Sequence, residues 1–405
     1  MQVIVLGAGV VGVTTAYYLS QQGCHVTVID RASDVAEGAS FANGGQLSYS
    51  FTDALARPGF IASIPGLLLG RDQGAQLRLA PGLFGWGFRF LGQCTSGQAE
   101  RNTIAVLQTA MRSAVLMDEL RERVPFEFSH RKAGKLVLLS KRGEVRAAKA
   151  TSKLKNAYGC DTEILTRAEA IGVEPAIEHM TSDVLAAVYS RSDEVADAYS
   201  FTAGLRNWLQ DTGAAEFRLG TNVKQIVTED DCAKAVVVDG ETIEADATVV
   251  CMGAWSNKML RSVGVNPQVY PVRGYSVTLP TGGESPSVSV TALKHRMVFS
   301  RINGFMRIAG FADFRGFRTT GDQRRSRHLL ELAQQIAPQA ADYACSDPQY
   351  WGGFRAMTPN GRPRVGATGV HRLFMNTGHG MLGWTLACAS GYDAALAVAR
   401  STWKG

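Results

Sequence analysis

Apolar residues form short continuous runs near both ends of the chain and alternating runs through its middle, which predicts two kinds of sheet. Val3 to Leu6 is an unbroken aliphatic run, the mark of a strand buried on both faces, and Val26 to Ile29 is a second. Between them Val13 to Gln22 reads as a helix, which completes a βαβ unit. At the other end Leu373 to Asn376 reads as a strand, followed by an apolar helix to about Ala399. In the middle, Tyr270 to Leu279 and Met297 to Phe311 alternate and carry aromatics, as strands of a large, mostly antiparallel sheet do.

The remaining elements follow the same rules. Ile104, Leu107, Met111, Val115 and Leu120 recur at helical spacing and predict a helix from Arg101 to Arg123. Gly134 to Leu139 reads as a strand, Lys141 to Tyr158 as a polar helix and Tyr199 to Gln210 as another helix. Phe217 to Ile226 resumes short strand-like runs, with Thr221, Asn222 and Val223 inside them. Ala233 to Val238, the Asp239-Gly240 turn and Glu241 to Ala245 predict a hairpin. Ala247 to Met252 is a buried strand that breaks at Gly253 into a helix carrying Trp255, and so returns the chain to its first domain.

The first βαβ unit carries chemistry. Gly7, Gly9 and Gly12 stand at G-x-G-x-x-G spacing with Val10 and Val11 between, and Asp30 ends the second strand. Gly7 is expected to make the tight turn, Gly9 to admit a pyrophosphate and Gly12 to let helix and strand pack closely. Unpaired N–H groups at the helix start favour the diphosphate, and Asp30 would accept from the adenosine ribose hydroxyls. Arg31 either reaches the adenosine or phosphates or sits in solvent. From Glu37 to Ser48 the chain offers small residues, amides and hydroxyls, among them Ala39, Ser40, Asn43, Gly44, Gly45, Gln46 and Leu47. That stretch could wrap a pyrophosphate and the polar edge of a flavin. The fingerprint alone leaves NAD and FAD open.

The C-terminal end decides between them. Thr377, Gly378, His379, Gly380, Met381, Leu382, Gly383, Trp384 and Thr385 form a second strand–glycine loop–helix junction. A second helix N-terminus suits a flavin, whose N1–C2=O edge gathers negative charge on reduction. FAD is therefore the expected cofactor.

Composition sets the outer limits. A chain of 405 residues suits two interleaved domains, and 45% apolar with 19% charged residues is the make-up of a globular protein. No run approaches a membrane span, and the apolar start lacks a basic leader region, so a cytoplasmic location is expected. Seven dispersed cysteines without a C-x-x-C pair predict neither disulfides nor a metal site. The net charge of +6 is modest, and no motif points to nucleic acid. The stretch from Leu55 to Gln93 is apolar, aromatic and glycine-rich, with Arg71, Arg78 and Arg89 interspersed. It reads first as a covering layer, and alternatively as a peripheral membrane or electron-acceptor contact. The basic run Arg315, Arg318, Arg324, Arg325, Arg327, His328 opposes the dipole of the helix it opens. Those residues are expected in solvent or paired with acids; membrane lipid or a partner subunit is the alternative.

Five blocks stand out together: Gly7 to Gly12, Ser40 to Ser48, Tyr270-Pro271-Val272-Arg273-Gly274-Tyr275-Ser276, Trp351-Gly352-Gly353-Phe354-Arg355-Ala356-Met357-Thr358-Pro359, and Asn376 to Thr385. In them the chain resembles the FAD-dependent D-amino acid dehydrogenases, within the wider superfamily of D-amino acid, glycine and sarcosine oxidases. The resemblance spans nearly the whole chain. It implies a Rossmann-type α/β FAD domain (1–95, 195–260 and 345–405) interleaved with an α+β substrate domain (96–194 and 261–344). It also implies that Arg355 grips the substrate carboxylate, while Gly353 and Arg355 lie at the flavin. Arg273 is implied as a second carboxylate contact at a position where some members carry Lys, and Tyr275 as a donor or a pocket wall. His379 is expected to meet the cofactor through its backbone rather than act as a base. Ala356 and Met357 stand where sarcosine oxidases place the flavin-linking cysteine, so the FAD is expected to be noncovalent. The implied reaction is hydride transfer from a D-amino acid Cα to flavin, giving a 2-oxo acid and ammonia, with a quinone or other non-oxygen acceptor and contact at the inner face of the membrane. Rivals are a related subunit oxidising glycine, sarcosine, D-hydroxyproline or opines, and an idle flavin-bearing assembly subunit.

Overall fold

The computed structural model describes residues 1–181 and 183–402. Two sheets organise it. The first has six strands in the order Arg364–Ala367, Leu373–Thr377, Ala247–Val250, Gln2–Leu6, His25–Ile29, Ala215–Arg218. All neighbours run parallel except the Arg364–Ala367 edge, which pairs antiparallel. Its central strands are buried on both faces, so their aliphatic runs are continuous rather than alternating. The Val10–Gln21, Ala198–Asp211 and Gly383–Thr402 helices cover one face, with Val13, Leu19, Phe201, Leu205, Leu386 and Val398 in a common core.

The second sheet has nine strands. Its main path runs Gln349–Met357, Tyr270–Pro280, Phe305–Phe314, Met297–Ile302, Ser289–Ala292, Lys135–Leu139, Ala186–Ser190, Thr162–Thr166, and Ala75–Leu77 pairs with Phe305–Phe314 off this path. Most of its pairs are antiparallel. One face receives the Asp322–Ile336 helix, whose Leu329, Leu332 and Ile336 pack with Val277, Phe299 and Ile308. The other face looks towards segment 39–48.

Two expected boundaries move. The Ser96–Arg123 helix, capped by the Thr95 hydroxyl accepting from Gln98 N–H, buries Val106, Ala110 and Met117 in the core of the first sheet. The Gln349–Met357 strand, placed by sequence with the nucleotide domain, instead pairs along its length with Tyr270–Pro280. The interleaving is therefore finer than a division at residues 95 and 345. The expected hairpin forms as Cys232–Val238 against Glu241–Glu244, with Val223–Glu229 as its third strand. Among the described residues, no helix is long and apolar enough to cross a membrane.

Candidate active site

The glycine fingerprint has the geometry its spacing predicts. Gly7 has φ +110°, and a Cβ there would lie 2.7 Å from the Cys251 carbonyl oxygen. A Cβ on Gly12 would lie 1.8 Å from the Gly7 carbonyl oxygen, so only glycine permits this helix–strand approach. Around Gly9, by contrast, the nearest atom to such a Cβ is Ser40 Oγ at 3.6 Å, which leaves an open cradle. Gly9 is also the helix cap and offers no side-chain bond to the first turn, while Ser40 Oγ accepts from Val10 N–H at 3.2 Å. Asp30 accepts from the Ala8 and Ala32 N–H groups at 2.7 and 2.9 Å. Each oxygen keeps a lone pair for a ribose diol while the backbone fixes the carboxylate. Arg31 lies with its guanidinium 4.4 Å from the Trp255 ring centroid, beside the Gly253 turn. Val223 is buried in the core beneath these strands with Ile4 and Leu6, so only its backbone is placed to meet a ligand.

The C-terminal junction is equally specific. Gly378 and Gly380 have φ of +81° and +59°, where Cβ atoms would meet Thr358 Cγ2 at 2.6 Å and Met357 Sδ at 3.0 Å. His379 is buried with Nε2 2.9 Å from Ser390 Oγ, and burial holds its pKa down at about 4. It is neutral at working pH and faces the helix, so the loop presents backbone rather than an imidazole base. Thr385 accepts from Ser48 N–H at 3.1 Å, which ties segment 46–48 to this helix. Trp384 packs against Phe201 at 4.7 Å in the core, whereas Met381 is exposed. The buried Asn376 Oδ1 and Trp351 Nε1 have no protein partner. An open glycine cradle, two glycine-pinned helix starts and these spare polar atoms fit an FAD.

The sheet separates the two arginines. Cross-strand pairing sets Val272 opposite Arg355 and Gly274 opposite Gly353, so these four share a face. A Cβ on Gly353 would lie 3.1 Å from Ala39 Cα, and Ser276 Oγ on the same face donates to the Ala42 carbonyl at 2.6 Å. This face therefore meets segment 39–48. The Arg355 guanidinium crosses Gly274, where a Cβ would come within 2.5 Å, and donates to the Phe311 carbonyl at 2.5 Å. No carboxylate pairs with it among the described residues. Burial lowers its pKa, offset by the charge of Asp313 and by Tyr275, yet a guanidinium stays charged. A half-buried cation without an anion is what a carboxylate-binding site requires.

Arg273 and Tyr275 point to the opposite face. Arg273 donates to one Asp322 oxygen through Nε at 3.0 Å and Nη2 at 2.7 Å, and its guanidinium stacks 4.3 Å from the Phe354 ring. Tyr275 donates to Asp313 at 2.9 Å and accepts from Arg315 at 2.5 Å. Burial, then the Asp313 charge, raises its pKa, so it remains a protonated donor. Arg325 grips Asp313 through two bonds of 3.1 and 3.0 Å, and Arg315 also contacts Asp322. The structure thus turns Arg273 and Tyr275 to the face opposite Arg355, where both bond within an ionic lattice under the Asp322–Ile336 helix, although Tyr275 and Asp313 stay near enough to act on the Arg355 charge. Of the basic run, Arg315 and Arg325 belong to that lattice, while Arg318, Arg324 and Arg327 are exposed.

The 55–93 stretch forms two helices, Pro58–Leu68 and Pro81–Gly92, and is both layer and surface. Trp86 donates to the Met357 carbonyl at 2.9 Å and, with Leu83 and Phe90, packs on Tyr270, Val272 and Phe314. Phe84, Phe88 and Leu91 on the outer side remain 61%, 82% and 43% exposed.

Against known proteins, the FAD dependent oxidoreductase family matches residues 2–396. The chain belongs to that family. It is 37% identical over 402 residues to a D-amino acid dehydrogenase of Dechloromonas aromatica, covering 96% of this chain and 95% of that one. It is also 37% identical over 401 residues to D-amino acid dehydrogenase 2 of Ralstonia nicotianae, covering 96% and 94%. Among solved structures, glycine oxidase from Geobacillus kaustophilus shares the fold with a TM-score of 0.75 at 21% identity, over 98% of this chain and 94% of that one. L-Proline dehydrogenase from P. horikoshii does so with a TM-score of 0.74 at 21% identity, over 100% and 94%. The Rossmann-type fold and the FAD expected from the sequence are those of this family.

Proposed function

We propose that this enzyme is a dehydrogenase of D-amino acids, with Arg355 as the anchor of the substrate carboxylate. The observation that carries the reading is a guanidinium without a carboxylate partner, on the sheet face that meets segment 39–48. The ancestry supports it, since the two relatives at 37% identity are D-amino acid dehydrogenases.

In this reading Gly7, Gly9, Val10, Val11, Gly12 and Asp30 hold the ADP half of FAD, and 39–47 with 378–385 hold the flavin half. Bound FAD supplies the hydride acceptor. The chain supplies placement: two parallel N–H bonds from Arg355 fix the carboxylate and hence the direction of the Cα–H bond. Loss of that hydride, and of one amine proton to solvent water, leaves an imino acid, which takes up water and releases ammonia and a 2-oxo acid. His379, neutral and tied to Ser390, takes no proton. The acceptor that reoxidises the enzyme is a quinone approached along the Pro81–Gly92 helix. That helix touches Met357, and Met357 lies against Gly380. Its exposed phenylalanines also suit contact with the membrane that holds such a quinone. Turnover of D-alanine with a dye acceptor tests the reaction: pyruvate and ammonia should appear in equal amounts, and no product from any D-amino acid would sink the proposal.

A further inference from the structure

Beneath segment 46–51 lies a buried cation that the reaction above does not use. Lys135 opens a strand of the large sheet and is 2% exposed. Its ammonium donates to Gln46 Oε1 at 2.9 Å and to Ser48 Oγ at 2.8 Å, and it stands 4.1 Å from the centre of the Phe51 ring. Among the described residues no carboxylate is bonded to it, and the buried Asp193 acts on it through space. An ammonium only donates, so it forces the Gln46 amide to turn its oxygen down and its NH2 outward, where that group meets the Ser289 and Thr291 hydroxyls. Thr385 holds the same segment from the other side.

Burying an ammonium without a directly bonded carboxylate is expensive; the buried Asp193 offsets part of that cost, and burial still holds the Lys135 pKa below its ordinary value. The charge itself therefore calls for a role. We propose that Lys135 is a positioning residue for the flavin segment, fixing Gln46 and Ser48 from below and placing a positive charge under bound FAD that favours its reduced, negatively charged state. This rests on the assignment of Gly44 to Leu47 to the flavin.

Burial also lowers the Lys135 pKa to about 8, so the charge is present at neutral pH and lost as pH rises through that value. Three other charged groups act on it. Asp193 bonds the Ser50 N–H and hydroxyl, Lys155 bonds the Ser50 carbonyl, and Asp53 pairs with Lys155 at 2.9 Å. Asp193, pushed up by burial to about 6, has finished titrating below the window in which Lys135 changes.

The test is the two-electron midpoint potential of the FAD-loaded enzyme between pH 7 and 9, for wild type and Lys135→Gln. A unit charge about 10 Å away at an effective dielectric of about 20 changes an equilibrium constant by roughly tenfold, or about 30 mV for two electrons. Lys135→Gln, which keeps a donor and removes the charge, is expected to lower the potential by about that amount at pH 7 and to remove an inflection near pH 8. A purely structural strut would change thermal stability and leave both potential and inflection as they are, and that result overturns the proposal. If the variant does not fold, the wild type decides alone, because a potential–pH line without inflection between pH 7 and 9 overturns it too. Wild-type FAD affinity in Gly44→Leu would instead refute the assignment of the segment.

Discussion

Replacing Arg355 is the most informative single change. Arg355→Ala removes a guanidinium whose one hydrogen bond goes to the Phe311 carbonyl, and it leaves no acid orphaned, since Asp313 is already gripped by Arg325. The change should therefore cost thermal stability no more than the one lost Phe311 bond, about 1–3 kcal/mol, while being severe in substrate use. Two charge-assisted hydrogen bonds to a carboxylate are each worth roughly 1.5–3 kcal/mol, so losing both costs about 3–6 kcal/mol. At 1.4 kcal/mol per tenfold, kcat/KM should fall about 10²- to 10⁴-fold. Arg355→Lys keeps the charge without the fork and should lie between. The assay is stopped-flow flavin reduction by D-alanine under anaerobic conditions, with the FAD content of each variant measured from its spectrum. Reduction by Arg355→Ala within tenfold of wild type, at equal FAD content, would refute the carboxylate role.

Three further outcomes follow from the geometry. Gly12→Ala should yield protein without yellow colour, because its methyl would overlap the Gly7 carbonyl at 1.8 Å; retained FAD absorbance would contradict the packing described. Arg273→Met should lower the unfolding free energy by no more than the low end of about 3–5 kcal/mol, because Asp322 keeps Arg315, while KM stays within a few-fold of wild type. Thermal melts and steady-state kinetics check this, and a large rise in KM with an unchanged melt would restore Arg273 to the substrate pocket. The double change Phe84→Ser, Phe88→Ser should reduce quinone turnover several-fold and spare dye turnover, whereas equal loss of both would argue against an acceptor surface on that helix.

Local rules carried much of this architecture. Gly7, Gly9, Gly12 and Asp30 lie within one βαβ unit, where spacing alone sets geometry, and the alternation of Tyr270 to Leu279 announced an antiparallel strand. What spacing cannot show is which face of a strand meets which neighbour. Arg273 and Arg355 looked like a pair, yet pairing of Gly274 with Gly353 turns them to opposite faces, and the acid that occupies Arg273 is 49 positions away at Asp322. Lys135 was invisible for a related reason. At the start of a strand a lysine ordinarily reaches solvent, and only the return of segment 46–51 over it makes it a buried charge. The Gln349–Met357 strand was misplaced because its partner lies some eighty residues earlier, and sequence order says nothing of such pairing.

A D-amino acid held by Arg355 for oxidation by FAD would show in the flavin itself. Anaerobic bleaching of the yellow enzyme by matched D- and L-enantiomers tests it most directly. Loss of the oxidised flavin absorbance is expected with one or more D-amino acids, none with their L-enantiomers, and greatly slowed bleaching in Arg355→Ala. Bleaching by L-amino acids alone, or by none of either series, would contradict it.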